Sequence, residues 1–189
     1  TGLVGTIAPK ALTLNGLVAA DKVYDGTTTA SVSGGSLTGL LGSETLGFNV
    51  NADFSDKNAG TSKTVTVGDP KLVNGTGLAS NYTVSTLGTL NAGITPKAIT
   101  LSGMSADSKV YDGTRMANVS GGALGGLVGG ESLNFSLGSS SFSDANAGTN
   151  KTVNVGGVSL SNGTGTASNY ALSSPGTLTG TITPKALTL

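Results

Sequence analysis

Apolar and polar residues alternate along much of this chain with a period of two. Leu46, Phe48 and Val50 are separated by Gly47 and Asn49, and Leu133, Phe135 and Leu137 repeat the pattern. Val65 and Val67 alternate with Thr64 and Thr66, and Leu178, Gly180 and Ile182 alternate with Thr177, Thr179, Thr181 and Thr183. Successive strand residues point to opposite faces, so this period predicts half-buried strands. No segment carries a 3.6-residue apolar stripe. Ser55 to Ser62 is expected to hold at most one helical turn, because it is short and contains Gly60.

A second, longer period organises the strands. Ile7-Ala8-Pro9-Lys10-Ala11-Leu12-Thr13-Leu14 returns as Ile94-Thr95-Pro96-Lys97-Ala98-Ile99-Thr100-Leu101, and again as Ile182-Thr183-Pro184-Lys185-Ala186-Leu187-Thr188-Leu189. The prolines set the spacing: 96 − 9 = 87, then 184 − 96 = 88. Lys22-Val23-Tyr24-Asp25-Gly26-Thr27 matches Lys109-Val110-Tyr111-Asp112-Gly113-Thr114. Asn58 to Thr61 matches Asn146 to Thr149, and Ala79 to Tyr82 matches Ala167 to Tyr170. A repeat of this kind predicts copies of one structural unit. Residues 10–96 read as module 1 and 97–184 as module 2, with 1–9 the end of a preceding repeat and 185–189 the start of a following one. Thr1 is not an initiator Met, so the sequence reads as a piece of a longer repetitive protein.

Turn chemistry marks the joints. Asp25-Gly26 and Asp112-Gly113 are expected to form tight hairpin turns with glycine at positive φ, and Asn74-Gly75 and Asn162-Gly163 likewise. Tyr24, Asp25 and Gly26, with Tyr111, Asp112 and Gly113, are therefore the predicted structural turn. Pro9, Pro96 and Pro184 mark the module junctions. A residue before proline is pushed towards extended backbone, so Thr95-Pro96-Lys97 is expected to be extended, with no flexible linker and the modules stacked end to end.

Composition narrows the function. Only 11% of residues are charged and the formal net charge is zero, against about 25% charged in ordinary domains. That gives no electrostatic footprint for nucleic acid or anionic lipid. No apolar run approaches the length of a membrane span. The 31 glycines are roughly twice the usual share, which demands many turns. No Cys and no His are present, which removes disulfides, thiolate chemistry and the commonest general base.

The Lys-Val-Tyr-Asp-Gly-Thr hexapeptide, the Asn-Ala-Gly-Thr run, the Ala-Ser-Asn-Tyr tetrapeptide and the closing Ile-Thr-Pro-Lys-Ala resemble the YDG-type repeats of large bacterial surface proteins. Those proteins are related to filamentous haemagglutinins and are often exported by two-partner secretion. The resemblance covers nearly the whole chain, twice and in order. It implies an adhesin or biofilm-matrix protein on the bacterial cell surface or secreted from it.

Few residues carry candidate chemistry. All eight aromatics fall into pairs between the copies (Tyr24/Tyr111, Phe48/Phe135, Phe54/Phe142, Tyr82/Tyr170), a pattern expected of core packing. Asp53 and Asp56 suggest calcium, but Ser141 replaces Asp53 in the second copy, and no loop offers the six to eight oxygens calcium takes. Asp21 and Asp107 share the turn segments of Asp25 and Asp112 and read as turn residues. Gly121 to Gly126 lacks the Lys-Ser/Thr of a phosphate loop. Ser62-Lys63 and Ser108-Lys109 are neighbours whose side chains point to opposite strand faces. Six glycosylation sequons, at Asn74, Asn81, Asn118, Asn134, Asn150 and Asn162, follow from a composition rich in Asn, Ser and Thr. Glu44 and Glu131 are matched single glutamates that suggest either exposed Glu–Lys pairs or the promoter of a Lys–Asn cross-link. Rows of alternating Thr suggest ice binding, but the first copy interrupts its row with Asn91 and Gly93.

The expectation is an all-β protein of two tandem antiparallel modules, each a sandwich or grasp-like packing, in an extended array with little or no helix. No catalytic residue, metal or cofactor is assigned, and the chain is expected to be a non-enzymatic monomer. Its partners would be neighbouring repeats of the same chain, with no nucleic acid and no membrane insertion. The favoured role is a stalk; the alternative is a module whose loops bind glycan, peptide or matrix polymer.

Overall fold

The computed structural model describes residues 2–85 and 88–188. Thr1, and Leu189 at the end of the third proline motif, lie outside the described residues. The chain is all-β and divides into two units, Thr1–Thr95 and Pro96–Leu189. In the first are β1 (Lys10–Ala19), β2 (Lys22–Val23), β3 (Thr29–Ala30), β4 (Val32–Thr38), β5 (Leu46–Asn49), β6 (Ala52–Phe54), β7 (Gly60–Val67), β8 (Lys71–Asn74), β9 (Tyr82–Val84) and β10 (Thr89–Thr95). The second repeats them as β11 (Lys97–Ala106), β12 (Lys109–Val110), β13 (Met116–Ala117), β14 (Val119–Gly125), β15 (Leu133–Leu137), β16 (Ser140–Phe142), β17 (Gly148–Asn154), β18 (Val158–Asn162), β19 (Tyr170–Leu172) and β20 (Leu178–Thr183).

Each module has the same three sheets. In the first, strand orders are β4-β1-β9, β2-β10-β7-β6-β3 and β5-β8; the second has β14-β11-β19, β12-β20-β17-β16-β13 and β15-β18. Alternation buries one face of each. Val65 and Val67 are 0% and 1% exposed, while Thr64 and Thr66 face the other way. Phe54, Ala92 and Ile94 complete that core in module 1; Phe142, Val153 and Ile182 form its counterpart. Leu12 and Leu14 of β1 are buried, but further along the strand it is Leu17 and Ala19 that turn inward. The phase slips where Gly16 adopts φ 77°. The β4 ladder keeps its register across this point, Asn15 facing Ser36 and Leu17 facing Gly34, so the strand changes the face it buries without leaving its sheet.

One feature departs from purely antiparallel packing. β1 pairs with β9 in parallel, and β2 pairs with β10 in parallel. Lys10 lies beside Tyr82 and Lys22 beside Ile94, so one sequence offset holds at both ends of the module (82 − 10 = 94 − 22). In module 2 Lys97 lies beside Tyr170 and Lys109 beside Ile182, again with a single offset (170 − 97 = 182 − 109). Lys10–Leu12 and Tyr82–Val84 thus run side by side in one direction, as do Lys22–Val23 and Ile94–Thr95.

The Ser55–Ser62 segment forms no helix. Its Asp56 accepts the Asn58 amide at 2.8 Å, an Asx turn that competes with helical bonding, and Ser62 takes φ 50° beside a register shift between β7 and β10. The short 3₁₀ turns lie instead at Ala79–Asn81 and Ala167–Asn169. There Asn74 Oδ1 accepts the Ala79 amide, and Asn162 Oδ1 the Ala167 amide, each at 2.8 Å. No helix among the described residues is long and apolar enough to cross a membrane.

Candidate functional site

The Lys-Val-Tyr-Asp-Gly-Thr segment folds around its own lysine. Lys22 Nζ donates to Asp25 Oδ1 (2.9 Å), Thr27 O (2.9 Å), Thr27 Oγ1 (3.0 Å) and Thr29 O (3.0 Å). Asp25 Oδ1 also accepts the Thr27 amide and hydroxyl, both at 2.8 Å. The ammonium stands 5.5 Å from the centre of the Phe54 ring, within cation–π range. Lys109 repeats the arrangement with Asp112 (2.9 Å), Thr114 O (2.8 Å) and Thr114 Oγ1 (3.0 Å), 5.7 Å from the Phe142 ring. Gly26 (φ 82°) and Gly113 (φ 77°) take the left-handed conformation.

These are not hairpin turns, contrary to the sequence expectation. β2 and β3, which flank the first, lie at opposite edges of one five-stranded sheet and do not pair. Lys22 on β2 reaches the Thr29 carbonyl on β3, so the sheet curls until a lysine bridges its two edges. A backbone carbonyl at the sheet edge is thereby satisfied. The dipeptide signal fixes a left-handed glycine, but it does not say which strands its neighbours join.

The Asn-Gly expectation is corrected too. Neither Gly75 nor Gly163 has positive φ. Glycine is needed there because the backbone of another segment passes close by: a Cβ on Gly75 would strike Thr45 O, and one on Gly163 would strike Ser132 O.

Partial burial pushes the Asp25 carboxyl up, but the Lys22 ammonium and the Thr27 donors outweigh it and hold the pKa at about 2. The Lys109 ammonium, with the Thr114 donors, holds Asp112 at about 2. Lys63 bonded to Asp56 (2.7 Å) and Lys151 bonded to Asp144 (2.6 Å) lower those carboxyls as well.

Glu44 and Glu131 meet tyrosines. The Tyr82 hydroxyl donates to Glu44 and accepts the Leu41 amide at 3.2 Å; Tyr170 donates to Glu131 Oε2 at 2.6 Å and accepts the Val128 amide at 3.1 Å. The carboxylate raises the Tyr82 pKa through that bond and through its charge. Each latch fastens the loop before β5 or β15 to the start of the outgoing stretch. Tyr82→Phe is expected to lower the melting temperature of module 1 and to speed amide exchange at Leu41, with module 2 unchanged. Unaltered exchange at Leu41 would show that the latch is idle.

Five aromatics are buried (Tyr24, Phe54, Tyr82, Phe142, Tyr170), and Phe48 and Phe135 are half-buried. Tyr111 departs from the core expectation at 42% exposed. It lines an open hollow with Asn146, Ala147, Pro184, Lys185 and Leu187, where the described residues after β20 form no strand to cover it. Pro9 precedes β1, Pro184 follows β20, and Pro96 is the one residue between β10 and β11. The lysines of the two Ser-Lys neighbours, Lys63 and Lys109, are committed to Asp56 and Asp112. No group of three His, Cys, Asp or Glu that could hold a metal occurs among the described residues.

The YDG domain family matches the chain twice, over residues 8–89 and 95–178. No curated protein and no solved structure matches it.

Proposed function

Because the chain belongs to the YDG domain family, which it carries twice in tandem, we propose that it is a spacer: structural modules in the stalk of a large repetitive bacterial adhesin or biofilm-matrix protein. In this reading the parent protein is of the filamentous-haemagglutinin kind, reaches the cell surface or medium by two-partner secretion, and uses these modules without catalysis or cofactor. One observation carries it. The incoming and outgoing stretches of each module pair in parallel at both of their ends, with one sequence offset, and in this reading the chain arrives at one end of a module and leaves at the other. The thirteen residue steps from Lys10 to Val23, at roughly 3.3 Å each when extended, allow those ends to lie up to about 40 Å apart. An antiparallel arrangement would return the chain to where it began and add no length. The saturation of Lys22, Asp25 and Thr27 by one another also suits a group that holds shape rather than one awaiting a ligand.

Small-angle scattering from chains carrying two, four and six modules tests this. The maximum dimension is expected to grow by a constant increment of about 40 Å per module. A dimension that rises only as the cube root of mass would remove the spacer. Saturable binding of a glycan or matrix polymer, lost on truncating loops, would favour the ligand-binding alternative.

A further inference from the structure

The strands that carry the chain into and out of a module are each held on both sides. β1 lies between β4 and β9, and β10 lies between β2 and β7. A pull transmitted through the chain arrives at Lys10 and leaves past Thr95, so it acts along the length of β1 and β10. The incoming stretch is paired with the outgoing one at both of its ends, Lys10–Leu12 with Tyr82–Val84 and Lys22–Val23 with Ile94–Thr95. Ladder hydrogen bonds lie across the strands. Tension along the axis therefore strains them together, whereas prising a hairpin open strains them one after another.

We infer that each module is a mechanical clamp, built to stay folded while tension passes along the chain. The inference takes its purpose from the spacer reading; its geometry stands independently of it. β2 shows the design most clearly. A two-residue strand adds little to a core, yet it sits where the chain leaves the module. The Tyr24 amide, just beyond it, donates to the carbonyl of Thr95, the last residue of β10, at 2.9 Å. The Lys22 ammonium ties the same strand to Thr29 at the far edge of the sheet, so β2 is not free to peel away. Module 2 repeats the pairing: Tyr111 N donates to Thr183 O at 2.8 Å, and Lys97–Ile99 pairs with Tyr170–Leu172. Flanking ladders add to it, with Thr13 to Ala19 on β4 and Thr89 to Ile94 on β7.

Single-molecule force spectroscopy on the full chain decides the matter. The sequence has no cysteine, so introduced pairs define where force is applied. Pulling through the chain ends is compared with pulling through Thr13→Cys and Thr38→Cys, exposed residues facing each other at one end of the antiparallel β1–β4 ladder. End-to-end pulling is expected to rupture each module at a force at least about twofold higher than this unzipping geometry, because forced unfolding follows the barrier along the pulled direction. Should the double variant fail to fold, Asn15→Cys with Ser36→Cys gives the same geometry further along the ladder. Equal rupture forces in the two geometries overturn the clamp. Equal forces in a chain whose scattering still lengthens module by module would overturn the clamp alone and leave the spacer standing.

Discussion

Gly35→Ala is expected to destabilise module 1 by about 2–4 kcal/mol, combining backbone strain with overpacking. Gly35 has φ 91°, where an L side chain is strained, and it leaves no room for one. A Cβ there would lie 2.7 Å from Phe48 Cζ, 2.9 Å from Leu17 Cδ2 and 3.2 Å from Leu14 Cδ1. The Phe48 ring of β5 packs straight onto the backbone of β4, so the glycine is where two sheets of the module meet. Gly122 holds the same place in module 2 (φ 105°), its missing Cβ 2.9 Å from Phe135 Cζ. Gly113 separates the two contributions. It has φ 77° but open space on its outer side, so Gly113→Ala is expected to cost only the strain, about 1 kcal/mol. Denaturant melts read together with module-resolved hydrogen exchange measure both. A Gly35→Ala cost no larger than that of Gly113→Ala would mean that Phe48 moves aside freely, and the sheet contact would be worth little.

This contact shows which parts of the fold are legible in the sequence. The repeat places Phe48 and Phe135 at matched positions, and alternation puts Val65, Val67 and Ile182 on buried faces. Those readings are local, since strand period depends only on successive residues. Pairing is not local. β1 finds β9 near the opposite end of the module's sequence, and the period of two is the same for parallel and antiparallel neighbours. Nothing in Lys10 to Leu12 announces a parallel partner. The Gly16 slip is hidden for a related reason: Leu12, Leu14, Leu17 and Ala19 read as broken alternation until Gly16 is seen in the left-handed conformation within one continuous ladder to β4. The Asp-Gly turns mislead because φ is a property of one residue, whereas a hairpin belongs to two strands. Lys22 is legible as a matched residue in both copies. Its four acceptors are not, since Thr29 becomes a neighbour of β2 only once the sheet has curled. Glu44 is similar: its partner Tyr82 comes late in the module, after β5 to β8 have been laid down, beyond the reach of any spacing rule.

Lys22→Met should lower the stability of module 1 by about 1.5–3 kcal/mol, the range for hydrogen bonds to a charged group, or about 10 °C in melting temperature for a domain of this size. Methionine keeps the apolar stem that crosses Phe54 but removes the ammonium, which leaves Asp25, Thr27 and Thr29 without their shared donor. The change should also leave a signature in acid. Asp25 and Asp112 have folded-state pKa values of about 2 against an ordinary 3.8. A carboxyl depressed on folding contributes stability that is present above its unfolded pKa and is lost as pH falls through the folded value. The native chain should therefore hold its stability from neutral pH down to about 4 and lose part of it between about 4 and 2. Half of each of these two carboxyls faces water, so solvent screens the pairs and the acid loss is modest. Removing Lys22 takes away the partner that lowers Asp25, so the loss between those pH values should shrink in module 1. It should not vanish, because Lys63 still lowers Asp56. Lys109→Met should flatten the acid loss of module 2 in the same way, through Asp112. An acid profile identical to that of the native chain, in a variant that is nonetheless destabilised, would mean that Lys22 acts through packing on Phe54 alone, and the bridge between the sheet edges would not be electrostatic.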